Sequence, residues 1–226
     1  AREFTVYSYD RRGRGDSTDT PPHAVERYDR VAAEYARRIA GELEHKPFDR
    51  ELLDRLAARL RGTGPVGDVG CGLGHVTDYL AGQGLDVCGI DLSPAMVAEA
   101  RALHPRLRFT VGDLTAIEAG DAAWAGALAW YSLIHLPREA VVPALQEFAR
   151  VLRAGGVLLL AFHVGEHAMH LDEWLGHPVR LDFTFFGVDE MAGYVRRADF
   201  ELEQVHEREP YPTWKRRRAG HTSWRP

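Results

Sequence analysis

Residues 66–74 read Val-Gly-Asp-Val-Gly-Cys-Gly-Leu-Gly, an apolar run holding one acid, then glycine at every second position. The run reads as a short buried strand ending at Asp68. Gly70, Gly72 and Gly74 let the backbone turn sharply and approach a ligand with no Cβ in the way. A helix follows over about residues 76–83, broken at Gly84. In open α/β sheets such a bend lies at the carboxyl edge of the strands, where ligands bind. The spacing is not that of a G-x-G-x-x-G dinucleotide loop, because its third glycine would fall on His75.

Working outward, the same edge collects further acids. A second strand over 86–90 ends at Asp91, about 20 residues after the glycine bend, where a carboxylate can accept both hydroxyls of a ribose. Ser93-Pro94 then reads as the N-cap and first residue of a helix. A third strand over 107–111 leads into Gly112-Asp113-Leu114. A fourth, over 125–131, runs into Ser132-Leu133-Ile134-His135-Leu136-Pro137. A helix over about 139–152, the turn Arg153-Ala154-Gly155-Gly156 and a fifth strand over 157–162 complete the alternation. Each acid alone reads equally well as a turn residue. Three at successive strand ends are harder to explain that way.

The acid followed by G-x-G-x-G resembles motif I of the class I S-adenosylmethionine (SAM) methyltransferases. The β-α series with R-A-G-G before the fifth strand (the family's usual form is closer to K-P-G-G) extends the resemblance over about residues 27–212. It implies a three-layer α/β/α sandwich with a Rossmann-like mixed sheet. It also implies SAM lying over Gly70, Cys71, Gly72 and Gly74, with Asp68 orienting the loop and the methionine end. Asp91, with Leu92 and Met96 nearby, would hold the ribose. Asp113 would accept from the adenine amino group, and Leu114 would offer its backbone amide. The opening Tyr28-Asp29-x-x-Ala32-x-x-Tyr35 is similar to the family's, which places the tyrosines over the methionine moiety. Spaced seven apart, they share a helix face, and packing on the core is the equal alternative. Tyr131 is expected to join the cofactor wall.

The implied reaction moves a methyl group to O, N or C of a small-molecule acceptor, in a setting such as secondary metabolism, and leaves S-adenosylhomocysteine (SAH). The alternatives are a non-catalytic SAM-binding protein and a nicotinamide-dependent oxidoreductase. His135, after the fourth strand, is the first choice for a general base, since imidazole titrates near neutrality; lining the pocket without proton transfer is the other reading. Trp130, His163, His167, His170 and Trp174 are expected around the acceptor. The spacing His163-x-x-x-His167-x-x-His170 invites a zinc reading, but Gly165 interrupts the helix that would align the rings, and no metal is expected. Phe183, Phe185 and Phe186 add to an apolar wall or cover the sheet.

Composition sets outer bounds. A chain of 226 residues with 45% hydrophobic content fits one domain with appendages. A net charge of −5 and the absence of an N/D-P-P-Y/F-like motif after the fourth strand argue against a nucleic-acid substrate. No apolar run reaches the roughly 20 residues of a membrane span, so a cytoplasmic monomer or homodimer is expected, with Cys71 and Cys88 reduced.

The two ends do not fit this frame. Residues 1–26, with Tyr9-Asp10-Arg11-Arg12-Gly13-Arg14-Gly15-Asp16-Ser17, resemble an α/β-hydrolase fragment, but no G-x-S-x-G nucleophile elbow occurs. This piece is expected to be non-functional, and its removal to leave SAM affinity intact. Residues 200–207 alternate like a sixth strand. Residues 213–226 are too basic for a buried last strand, so that strand is expected to be missing or altered, the tail disordered or the product of a frameshift.

Overall fold

Residues 3–9, 28–29, 31–39, 41–209 and 211 are described by a computed structural model. Within it, Trp124–Trp130 (β5) is buried at every position, as a strand covered on both faces must be. It lies in parallel between Val66–Val69 (β2) and Leu152–His163 (β6). Beyond β2 come Val87–Asp91 (β3) and Arg108–Val111 (β4). Beyond β6 come Glu3–Tyr9 (β1) and Glu201–Arg208 (β9). The seven-stranded order β4-β3-β2-β5-β6-β1-β9 reverses direction between β2 and β5, which opens a crevice at their carboxyl ends.

The two faces of β5 feed two cores, with the register shifting between Trp124 and Gly126. Trp124, Ala127 and Ala129 pack with Leu145 and Phe148 of the helix Arg138–Val151 (α5) and Val195 of Val188–Arg197 (α6). Ala125 and Leu128 pack on the other face with Leu53, Leu56 and Leu60 of Pro47–Leu60 (α2) and Leu80 of His75–Gly82 (α3). Pro94–Leu103 (α4) starts as its sequence dictates, with Ser93 Oγ accepting from the Met96 amide at 3.1 Å and Pro94 next in line. A short helix, Ala32–Ile39 (α1), precedes α2.

Two features depart from the sequence reading. Glu3–Tyr9, assigned above to an extension ahead of the domain, is a strand of the domain's own sheet. Its residues pair with Val157 to His163 on one edge and with Glu201 to Arg208 on the other. It stands, in parallel sense, beside β9, where the resemblance calls for an antiparallel last strand, so all described pairings of this sheet are parallel rather than mixed. Phe4-Thr5-Val6-Tyr7 has the β-branched and aromatic character of a strand, and a position between two strands satisfies both backbone edges. The hydrolase-like loop at 10–17 and the basic tail at 213–226 lie outside the described residues.

The second departure is a hairpin, Ala168–Trp174 (β7) with His177–Thr184 (β8), in the segment read above as a source of pocket histidines. Leu175 and Gly176 form its two-residue turn at φ 55° and 82°, the two positive values a type I′ turn demands. Leucine at the first of these positions hides the turn from sequence inspection, since asparagine or aspartate is its usual occupant. At the far edge, β9 ends on Arg208, which bonds the buried Asp49 of α2 at 2.8 Å and lies 4.1 Å over the Tyr211 ring.

Candidate active site

The glycine bend is shaped by what surrounds it. Gly70 has φ 79°, and a Cβ there would stand 2.1 Å from Ser132 Cβ, so only glycine fits. Its amide and that of Cys71 donate to the Ile90 carbonyl at 2.7 and 3.0 Å, tying the loop to β3. Gly72 differs: a Cβ there would meet nothing within 4 Å, leaving open space above the bend. Its amide donates to Asp91 Oδ2 at 2.7 Å, while Asp91 Oδ1 accepts from the Ser93 amide at 2.9 Å. Both oxygens are thereby aimed, and each keeps a lone pair for a diol. Burial raises the Asp91 carboxyl above its usual range, and those two amides partly pull it back. Gly74 caps α3.

Asp68 is fully buried under the bend. Thr77 Oγ1 donates to its Oδ2 at 2.7 Å, and its Oδ1 is a buried atom with no partner among the described residues. Desolvation pushes its carboxyl up to about 6. The Asp113 end is looser: Asp113 Oδ1 accepts from the Thr115 amide and hydroxyl, both at 2.7 Å, in a side-chain turn. Leu92 and Val111 are exposed apolar residues at the ends of β3 and β4, a surface suited to a flat base.

Tyr28 closes over this rim. Its hydroxyl lies 2.9 Å from His135 Nε2, and its ring meets those of Tyr35 and Trp174 edge-on at centroid distances of 6.4 and 5.8 Å. Trp174 also tilts against Tyr35 at 5.2 Å, so hairpin and lid helix share an aromatic contact. Burial, then the nearby Asp91, raise the Tyr28 phenol above its ordinary value and keep it neutral. His135 Nδ1 stands 3.2 Å from the Asp182 backbone carbonyl, which can only accept. That contact puts the ring proton on Nδ1 and leaves Nε2 to accept from Tyr28. Next to Tyr28, Asp29 Oδ1 accepts from Ser93 Oγ at 2.5 Å and from the Ala95 amide at 3.1 Å, pinning the lid to the start of α4.

The remaining sequence-selected residues divide. Tyr131, at φ 57° just past β5, lies 5.1 Å from the His163 ring, and His163 and His167 both stack on Phe185 at 5.2 and 4.3 Å. Trp130, expected around the acceptor, is buried among the α2-side core residues. Met96 is buried beneath Tyr28 and Tyr35 and supports the lid. Leu114 packs on the α5-side core. The Cys71 side chain points into the cluster of Val97, Ala100 and Phe109, so only its backbone can serve a cofactor. His170 leaves the set, because it faces out along β7 and bonds Asp182 at 2.6 Å and Asp172 at 3.1 Å. These carboxylates raise its pKa, the Asp182 bond foremost. With His163 closing β6 and His170 on β7, the three histidines do not share a helix face. Among the described residues no group of three or more metal-ligating side chains could hold an ion.

Sequence reading passed over Glu42, Lys46, His75 and Asp29. Glu42 Oε1 lies 3.1 Å from His75 Nε2, and Lys46 Nζ donates to Glu42 Oε2 at 2.7 Å. Glu42 and Lys46 stand 24 and 20 positions ahead of Val66, outside any motif, and only the folded geometry brings them to His75.

A buried carboxylate without a partner among the described residues, a glycine bend with open space above it and an aimed carboxylate at the next strand end lie along one edge of a Rossmann-like sheet. Residues 66–156 match the family described as "Methyltransferase domain". In sequence the chain is 35% identical over 130 residues to a malonyl-[acyl-carrier protein] O-methyltransferase of Enterobacter lignolyticus, covering 57% of this chain and 51% of that protein. It is 32% identical over 146 residues to the O-methyltransferase cnsE of Penicillium expansum, covering 61% and 52%. The chain thus spans about half the length of the curated relatives it matches. In fold it is similar to a DhpI–SAH complex, with TM-score 0.61, 22% identity and 76% and 83% of the two chains covered. The matched segment is thus similar to a methyltransferase domain, and the fold is that of the SAH-bound neighbour.

Proposed function

We propose that this chain catalyses methyl transfer from SAM to a small-molecule acceptor, with a hydroxyl oxygen as the nucleophile the site suits best. The carrying observation is the crevice itself, where Asp68, the open space over Gly72 and the aimed Asp91 fit the methionine end, the bend and the ribose. SAM supplies an electrophilic methyl on sulfur, and the acceptor's lone pair forms the new bond as the carbon–sulfur bond breaks toward SAH. The chain's own task is alignment and proton removal. The Tyr28 oxygen can accept a proton from an acceptor hydroxyl while its own proton passes to His135 Nε2, 2.9 Å away. Asp182's carbonyl holds the imidazole in the tautomer this needs. Tyr131, His163 and Phe185 wall the opposite side. The relatives named as O-methyltransferases support the oxygen assignment. The free thiols of Cys71 and Cys88 accord with a cytoplasmic setting.

SAH release from SAM across a panel of small hydroxylated acceptors and carboxylic acids tests this. Tyr28→Phe and His135→Ala should each lower kcat at least about 100-fold on any hydroxyl acceptor found, in the range of general-base loss. Turnover at the wild-type rate in both variants would remove the relay. Absence of turnover with every acceptor, despite SAM binding, would favour a binding protein.

A further inference from the structure

The glycine bend is flanked by two unfilled acceptors. Asp68 Oδ1 is one, and His75 Nδ1, at the first position of α3, is the other; both are buried and neither has a partner among the described residues. Asp68 has no solvent exposure at all, and His75 keeps 12% of its side chain exposed. An unpartnered buried polar atom is costly, so each of these two atoms beside the bend calls for a partner.

Which nitrogen of His75 carries the proton follows from its other neighbour. Burial alone would raise Glu42, yet the hydrogen bond from His75 and the charge of Lys46 hold its carboxyl down, so it is ionised at neutral pH. An ionised carboxylate only accepts, so at 3.1 Å His75 Nε2 must donate to it. In the neutral imidazole Nδ1 is then a lone pair. With His75 neutral, the bend offers a carboxylate oxygen and an imidazole nitrogen, both acceptors.

We propose that His75, oriented by Glu42, is a cofactor-specificity residue that accepts a hydrogen bond from the α-ammonium of the cofactor's methionine portion, alongside Asp68. A trigonal set of N–H donors suits two side-chain acceptors, whereas a carboxylate would face two lone pairs. The inference rests on the SAM reading above and extends it. The chain would select an intact amino-acid tail at this end of the crevice, beside what Asp91 selects at the ribose. Glu42 acts through His75 and is a positioning residue.

The test is calorimetric titration of the full chain and His75→Ala with SAH, with decarboxylated SAM (which keeps the amine) and with 5′-methylthioadenosine (which lacks the whole tail). His75→Ala should weaken SAH and decarboxylated SAM by about tenfold each, the scale of one hydrogen bond to a charged group, and change 5′-methylthioadenosine less than twofold. His75→Asn, whose side-chain oxygen can replace Nδ1, should recover most of the loss. Equal weakening of all three ligands would mean a structural role and overturn the proposal. So would a loss confined to SAH, which assigns His75 to the carboxylate, or no loss. If the unaltered chain binds none of the three, the SAM reading itself falls, and this inference with it.

Discussion

Asp68 shows what full burial costs a carboxylate. A carboxyl with no exposed surface is held at about 6 against 3.8 in the free residue, chiefly by desolvation. Between about pH 4 and 6 the folded chain keeps a proton that the unfolded chain releases, so stability without ligand falls as pH rises through that window. Two pKa units correspond to at most about 3 kcal/mol, fully expressed above pH 6. Asp68→Asn should therefore raise the ligand-free Tm by a few degrees at pH 8, with the gain fading towards pH 4, and weaken SAH at least tenfold. Thermal unfolding across pH together with SAH titration checks both; an unchanged Tm at pH 8 would mean that the buried carboxylate carries no penalty. At this scale the strand-end positions of Asp68, Asp91 and His135 were legible in the sequence. It was silent on Glu42 and His75, whose partnership depends on how the chain between α1 and α2 folds back over the bend.

Elements explain how the crevice is closed. Lid and hairpin meet through Tyr28, Tyr35 and Trp174, and the Asp29 carboxylate ties the lid to the start of α4 alongside the Met96 packing. That carboxylate also sits at a helix N-terminus, where negative charge is favoured. Removing it in Asp29→Ala leaves the core untouched but frees the segment that carries Tyr28. SAM affinity should drop by about five- to tenfold, the scale of a lost cap, with hydrogen exchange rising over residues 31–39 and little change in Tm. An exchange pattern like that of the unaltered chain would mean that aromatic packing alone holds the lid. The helix starts were legible in the sequence because their signals are local, as Ser93-Pro94 shows. The hairpin was not, because Leu175-Gly176 uses a positive φ at a residue that normally avoids it.

For the whole molecule the sheet order is the deciding fact. Strands β2 to β6 follow the motif sequence and were readable in order, since each βα unit is built from neighbouring residues. The pairing of β1 between β6 and β9 spans most of the chain and has no local signal beyond its β-prone composition. Deleting residues 1–9 would strip hydrogen-bond partners from both adjoining strands. We expect a Tm lower by roughly 10 °C and a tendency to aggregate through the opened edges, in place of the neutral effect expected from sequence alone. A truncated chain with the same Tm and SAH affinity would show that β1 contributes no stability. The account as a whole depends on Asp68, Gly72 and Asp91 receiving one nucleoside with an amino-acid tail. Calorimetric titration of the full chain and Asp91→Ala with SAH, with NADH as the control, tests this most directly. Saturable SAH binding that Asp91→Ala weakens at least tenfold, with no heat from NADH, is the predicted result; absence of SAH binding, or equal binding by Asp91→Ala, would contradict it.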